Sequence, residues 1–369
     1  MSSLLDGISL THDSKMKTGK ARSARTKGIV TLKSLASHLG LSAGTVSSVL
    51  NNSPAARSIP ERTRNRVLEA ARQLNYRPNF AARSLRIRRT YTIGIIAEEI
   101  GDAYGATVIS GIEAFLRKNN FFFLVVAHRH DSQLLHSYSQ LLLARGVEGI
   151  ITIDTSIDRK PVLPTVAIAG HRRVPNVTNI VLDHHCAVRL VLRHLLDLGH
   201  KQIAFFRGPA SSSDSVARWK AIREVAAELN LSIYPELVFQ LEDGVNLPEI
   251  GYLPAKALLA AKSPFTALFA YNDISAVSAM SVFRDANLVV PRDISVVGFD
   301  DVSVASVANP PLTTVRQPLL QMGTVAAQTL LDRIEDRDRF VPEVALMPEL
   351  IVRNSTGPAS ELSPGRVTA

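Results

Sequence analysis

The chain contains a single cysteine, Cys186. No intrachain disulfide framework can form, and the composition fits a reducing cytosol. No apolar run approaches the roughly 20 residues a membrane span requires; the longest obvious one, Phe121 to Ala127, reads as a buried strand. The N-terminus has no apolar core of the secretory-leader type. Enzyme signatures are missing as well: no GxxxxGKS or GxxxxGKT phosphate loop, no GxSxG elbow and no HExxH helix. His128-Arg129-His130-Asp131 and His184-His185-Cys186 invite a metal reading. Adjacent ligands on a strand point to opposite faces, and no complementary cluster follows at a metal-site spacing, so no metal or other cofactor is expected. Acidic residues are scarce in one place only. Residues 1–90 hold 4 Asp+Glu against 17 Lys+Arg, a net of +13, whereas the remaining 279 hold 29 against 25, a net of −4. A polyanion would therefore be met by the N-terminal quarter. A basic tail without a partner accounts for the first 28 residues but not for Arg57 to Arg89.

The 369 residues leave room for two or three domains, and 46% hydrophobic with 20% charged residues is ordinary globular composition. Residues 1–28, poor in aromatics and without a sustained period, are expected to be a disordered basic extension whose lysines and arginines touch phosphates nonspecifically. Val30 to Asn51 reads VTLKSLASHLGLSAGTVSSVLN. Thr31 is placed to cap a helix carrying Leu32, Leu35, Ala36 and Leu39 at helical spacing, and Gly40 ends it. Ser42 caps a second helix, with Val46, Val49 and Leu50 apolar and Ala43, Gly44, Thr45, Ser47 and Ser48 on its other face. Ile59 to Asn75 supplies a third helix to close the core, with Val67, Leu68, Ala71 and Leu74 on one side. Two short helices around a tight turn, backed by a third, form a helix-turn-helix whose second helix enters a DNA major groove.

TVSSVLN (Thr45 to Asn51) and LNYRPNFAARSL (Leu74 to Leu85) resemble the recognition helix and hinge of the lac repressor family of bacterial transcription regulators, and the resemblance runs over roughly residues 29 to 355. That family's head begins near its first residue, so the extension is a departure, and Met16 is an alternative start. The resemblance places base-reading positions at Ala43, Gly44 and Ser48, none of which offers a bidentate base contact. Thr31, Ser42, Thr45, Ser47 and Asn51 read as phosphate anchors, with a helix C-cap as the alternative for Asn51. Pro78 breaks the third helix, and Asn79 can cap a new one that puts Ala82 and Leu85 on nearly the same face, flanked by Arg83 and further arginines. By resemblance this hinge helix folds on DNA, pairs with its dimer mate and wedges Leu85 into the minor groove, kinking the duplex. A plain polar linker is the alternative.

From Tyr91 onward, near-continuous apolar strands alternate with helices, which implies parallel sheets covered on both faces. Strands are expected at Thr92–Ala97, Phe121–Ala127, Gly149–Ile153, Val166–Ile168 and Ile180–Leu182. Three more are expected at Ile203–Phe206, Ala267–Ala270 and Ser295–Gly298. About eight strands fit two α/β lobes better than one. The resemblance implies a fold like the periplasmic sugar-binding proteins, crossing between lobes near Asp183, near Thr313 and beyond Arg333. The expected organisation is an extension (1–28), an all-α head (29–76), a hinge and linker (77–90), a two-lobe effector-binding and dimerisation core (91–355) and a flexible tail (356–369).

Ligands of such folds bind at the carboxyl ends of strands. Asp102 and Tyr104 follow the first strand, and Ser212, Asp214 and Arg218 follow Ile203–Phe206. Asn272 follows Ala267–Ala270, and Asp300 follows Ser295–Gly298. A guanidinium, carboxylates and an amide together suit a sugar or another polar metabolite. The resemblance matches Arg218 to the family's R-x-x-G arginine (with Ala221 in place of the glycine), Asn272 and Asp300 to its ligand contacts, and Ser212 and Asp214 to an effector loop. Gln317 lies where the chain recrosses. Trp219 either stacks on a sugar ring or packs inside, and Arg218 has a surface alternative. The resulting expectation is a cytoplasmic homodimeric repressor of a palindromic operator, governed by a small-molecule effector such as a sugar. Two alternatives stand beside it: a core that answers a partner protein, and an enzyme fused to a DNA-binding head. The tail after Asn354 has no heptad repeat that would build a tetramerising coiled coil.

Overall fold

The computed structural model describes residues 30–77, 84, 89–155, 157, 159–242, 249–336 and 338–360. The expectations for 1–28, for the hinge residues Asn79, Ala82, Arg83 and Leu85, and for the end of the tail lie outside them. The chain divides into two compact units, 1–88 and 89–369.

In the first unit, α1 (Leu32–Leu39), α2 (Ala43–Leu50) and α3 (Glu61–Gln73) enclose a small core of Leu35, Ala36, Val46, Val49, Val67 and Ala70. Thr31 and Ser34 form a reciprocal capping box, and Gly40 closes α1 in the left-handed conformation at φ 65°. The third helix starts two residues later than Ile59 because Pro60 takes the N-cap position. Leu68, expected on its apolar side, is exposed; Val67 and Ala70 carry the burial.

The second unit holds two six-stranded sheets. The first has the order β11-β5-β4-β3-β1-β2, built from β1 (Thr92–Ala97), β2 (Phe122–Ala127), β3 (Gly149–Ile153), β4 (Thr165–Ile168), β5 (Val177–Leu182) and β11 (Glu343–Leu346), all parallel. The second has the order β12-β10-β9-β8-β6-β7. Its strands are β6 (Ile203–Arg207), β7 (Val238–Gln240), β8 (Ala267–Phe269), β9 (Ser295–Asp300), β10 (Thr313–Arg316) and β12 (Glu349–Ile351). The two-lobe α/β architecture is the expected one, with two amendments. The described residues form twelve strands rather than eight, and β12 runs antiparallel to β10.

The helices that pack on these sheets are α4 (Ala103–Lys118), α5 (Ser132–Ala144), α6 (His184–Asp197), α7 (Ser213–Glu228), α8 (Tyr252–Ala260), α9 (Asp273–Asp285), α10 (Ser303–Val307) and α11 (Leu319–Glu335). Every residue of β1 is buried: Ile93 and Ile95 pack into one cluster and Ile96 into another, as a strand covered on both faces requires. The chain passes between sheets after β5, after β10 and between β11 and β12, so the middle crossing falls at Gln317, just beyond the strand that Thr313 opens. Helices α4 and α11 approach so closely that a Cβ on Gly111 would collide with the Leu320 carbonyl, and one on Gly323 with the Val108 carbonyl. The crossings put the carboxyl ends of both sheets around one cleft.

Candidate ligand cleft and DNA-binding head

In the head, the Ser42 hydroxyl accepts from Thr45 N at 3.1 Å and so fixes the start of α2. Ser42 and Gly44 are exposed, and Ala43, Thr45 and Ser48 half-buried, forming one accessible face. Thr31 is exposed at the start of α1, its hydroxyl engaged by Ser34. Ser47 and Asn51 point the other way: Ser47 is buried, and the Asn51 amide donates to Ser47 O at 2.7 Å as the C-cap of α2. The capping alternative for Asn51 is therefore the geometry the residue adopts.

Between the lobes lies a cavity of about 730 Å³. Asp102, Tyr104, Ser212, Asp214, Arg218, Asn272, Asp300 and Gln317 all line it, although they are drawn from widely separated segments. Trp219 does not. One step round α7 from Arg218, it packs edge-on against Phe205 at 6.0 Å with Arg207 over its ring at 5.1 Å. Helical rotation of about 100° per residue separates neighbours that sit side by side in sequence.

At the base of the cleft Arg218 donates to Asp214 Oδ2 at 2.6 Å and to the Tyr271 carbonyl at 2.6 Å, with its guanidinium over the Phe299 ring at 3.6 Å. The other oxygen of Asp214 meets His184 Nε2 at 2.8 Å and His171 Nε2 at 3.0 Å. Burial pushes the Asp214 carboxyl up, but His184, Arg218 and the imidazole hydrogen bonds outweigh it and hold it well below the usual carboxylate range. Burial also lowers the His184 imidazole against the pull of Asp214.

His171, His184 and Asp214 have ligating atoms within 4.8 Å of one another, a grouping that could hold a metal ion. Both imidazoles are already bonded to the carboxylate, however, and the guanidinium occupies its second oxygen. A metal-ligating histidine is normally held through its other ring nitrogen, whereas His184 Nδ1 is buried without a partner. The cluster is a hydrogen-bonded network that fixes Arg218.

Two further carboxyl groups differ from Asp214. Asp300, the last residue of β9 rather than one beyond it, holds φ 105° and accepts from Gln317 Nε2 at 2.6 Å. Burial, partly offset by Arg218, pushes it well above the usual range. Asp154 follows β3 and accepts from Ser212 Oγ at 3.0 Å; burial, then Glu98 and Asp214, push it up to about 8. Asn272 caps α9, its Oδ1 taken by Ser275 N at 2.9 Å. Asp273, the next residue, is fully buried and accepts from Thr314 Oγ1 at 2.5 Å and from Val302 N at 2.8 Å.

Sequence reasoning passed over Glu98, Glu99, Asp154, Glu242, Glu249 and Tyr271, all on the cavity wall. Asp154 was findable, since it ends a strand just as Asp300 does. His171 reaches the site only through the loop after β4.

A helix-turn-helix head on a two-lobe α/β core with a polar cleft defines a DNA-binding transcriptional regulator with a ligand-binding core. Residues 31–79 match the family described as "Bacterial regulatory proteins, lacI family", and residues 192–356 match "Periplasmic binding protein-like domain". The chain belongs to the lacI family of bacterial regulatory proteins. The HTH-type transcriptional repressor PurR of Haemophilus influenzae (strain ATCC 51907 / DSM 11121 / KW20 / Rd) is 31% identical over 337 residues, covering 89% of this chain and 98% of that protein. The Ribose operon repressor of the same strain is 28% identical over 337 residues, with the same coverage. Among solved structures, the lac repressor dimer bound to operator and the anti-inducer ONPF superposes with a TM-score of 0.81 at 26% identity, covering 89% of this chain and 99% of that one. The complex of the transcriptional regulator CelR with cellobiose gives a TM-score of 0.66 at 27% identity over 88% and 99% of the two chains.

Proposed function

We propose that this chain is a cytoplasmic homodimeric repressor. Two heads occupy the half-sites of a palindromic operator, and a small polar metabolite, a sugar or a relative of one, binds between the lobes. The observation that best supports the effector reading is the cleft itself: Arg218, held rigid by Asp214 and Phe299, lines a cavity of metabolite size together with Asp300, Gln317 and Asn272. A hydroxylated ligand would find acceptors in the carboxyl groups and donors in the guanidinium and amides. The exposed face of α2, with Ser42, Ala43, Gly44, Thr45 and Ser48, would lie in the major groove, and Leu85 with Ala82 and Arg83 would meet the minor groove at the centre of the operator. Ligand binding would change the angle between the first lobes of the two protomers and so the operator affinity. Repression is the action named for the two Haemophilus influenzae relatives, a transcriptional repressor and an operon repressor.

The test pairs selection of duplexes from a random pool with fluorescence anisotropy. The selected sequences should be palindromic, and metabolites that shift anisotropy should lose their effect in Arg218→Ala, assayed at a temperature where that less stable variant is folded, while DNA binding persists. Selection of no sequence preference would overturn the operator reading. A response to a metabolite that Arg218→Ala leaves intact would overturn the cleft as sensor.

A further inference from the structure

The charge of the cleft is lopsided. Its first lobe contributes Glu98, Glu99, Asp102 and Asp154, and its second Asp214, Glu242, Glu249 and Asp300. Against these eight carboxyl groups, the described lining residues supply one guanidinium, Arg218, which is already paired with Asp214, and one imidazole, His130, which is paired with Glu98 at 2.8 Å. The N-termini of α4, α7 and α9 open toward the cavity and together add a positive charge of roughly 1.5. Holding protons on Asp154 and Asp300 removes two negative charges. The balance stays negative after both corrections.

A second observation concerns Asp300, which is 8% exposed. One of its oxygens takes the Gln317 amide, while the other has no hydrogen-bond partner among the described residues, and the side chain lines the cavity. Tyr104 and Tyr271 line the same wall and add aromatic surface. A carboxyl oxygen without a partner beside tyrosine rings is an acceptor that an ammonium group can take, drawing the carboxyl to its ionised form as it binds.

We infer that the cleft takes a protonated organic amine of about monosaccharide size, an amino sugar or a diamine, in preference to neutral polyols and anions. The inference rests on the reading of the cleft as the effector site. Sugar acids and phosphates would meet uncompensated carboxylates, and a cavity of about 730 Å³ far exceeds what a bare metal ion fills. The raised Asp154 and Asp300 carboxyls fit a site short of positive charge, and a bound ammonium would draw both back toward ionisation.

The full-length protein would be screened by thermal shift in four arms at matched concentration and low ionic strength. These are neutral polyols (glucose, ribose, adenosine), amines (glucosamine, galactosamine, putrescine, spermidine), anions (glucuronate, ribose 5-phosphate) and salts alone (MgCl₂, ZnCl₂). The expected result is the largest stabilisation in the amine arm, reduced by added salt. Glucosamine ahead of putrescine, or the reverse, separates amino sugar from diamine. Asp300→Asn should weaken the leading amine about tenfold. Glu99→Gln and Glu242→Gln, both at exposed positions that do not support folding, should weaken it several-fold. A neutral, anionic or metal arm in the lead overturns the amine inference and leaves the cleft as sensor standing. Silence in all four arms overturns both.

Discussion

Ser212 Oγ donates to Asp154 Oδ1 at 3.0 Å, joining the start of α7 in the second lobe to the end of β3 in the first. Two more bonds run alongside it: Ser213 Oγ donates to the Ala169 carbonyl at 3.1 Å, and His171 reaches Asp214 at 3.0 Å. The N-terminus of α7 is thereby stitched to the opposite lobe at the edge of the cleft. Ser212→Ala removes one stitch and costs about 1 kcal/mol in the approach of the lobes. Ligand affinity should then fall about fivefold, read by calorimetric titration. Unchanged affinity would mean that the bond contributes nothing to closure.

Arg218 and Asp214 are both buried, so removing one leaves the other without compensation. Arg218→Met should destabilise the protein by about 3–5 kcal/mol in denaturant titration. Arg218→Lys should recover little, because lysine cannot reach Asp214 and the Tyr271 carbonyl together while lying flat on Phe299. Adding Asp214→Asn to Arg218→Met should restore part of the loss by removing the stranded charge. A double variant less stable than Arg218→Met alone would contradict this.

Asp154 makes stability depend on pH. Its usual value is 3.8 and burial, with Glu98 and Asp214, raises it to about 8, against the smaller opposing pull of Ser212 and Arg218. Between those values the folded protein keeps a proton that the unfolded chain has lost, so stability falls as pH rises through the window. Asp273, pushed up to about 7 by burial, acts in the same direction, as does Asp300. Asp214, held low, contributes stability that disappears only below its unfolded value of 3.8. Below the ordinary imidazole value of 6.5 the lowered His128, His184, His194 and His200 act the other way, so the comparison belongs above it: the unliganded protein should melt at higher temperature near about pH 7 than near about pH 8.5, with the difference reduced in Asp154→Asn. A flat profile in the unsubstituted protein would refute the assignment.

The contrast between what could and could not be read in the sequence has physical causes. Strands β1, β3 to β6, β8 and β9 announce themselves as apolar runs because both faces are covered, whereas β2 is an apolar run although it lies half-buried at a sheet edge with Phe122 exposed. By contrast β7, β11 and β12 are three or four residues long and partly exposed at sheet edges or next to them, and β10 reads TTVR, so no apolar run marks them. Glu242 was hidden for that reason, since it follows the unrecognised β7. The strand-end rule led to Asp300 and Asn272, and the same rule would have led to Asp154. His171, His184 and Asp214 meet only through the first crossing and the loop after β4, a relation that no local pattern carries. Between the two roles its sequence left open, Trp219 takes the packing one, because adjacency to Arg218 in sequence is not adjacency in space on a helix.

The interface between α4 and α11 offers a stability test away from the cleft. Gly111→Ala would drive a methyl into the Leu320 backbone carbonyl, which no rotamer change can relieve. The loss should be about 1–3 kcal/mol, as for other overpacked sites. Ligand affinity should stay unchanged at temperatures where the variant is folded.

DNA recognition gives a test that separates wedge from charge. The accessible face of α2 offers Ala43, Gly44 and Ser48 where bidentate base contacts would otherwise be made, so direct readout there is thin. Much of the discrimination should then come from Leu85 unstacking the operator centre, an apolar contact that releases no counterions. Leu85→Ala should lower specific affinity about tenfold or more while leaving nonspecific affinity and the salt dependence of binding nearly unchanged. Arg83→Ala should behave the other way: affinity falls on all duplexes and the slope of log K against log salt drops by about 0.9 for the lost phosphate contact. Anisotropy titrations of both variants over a salt series decide the matter. A reduced salt slope in Leu85→Ala would show that this residue acts by positioning basic groups rather than as a wedge.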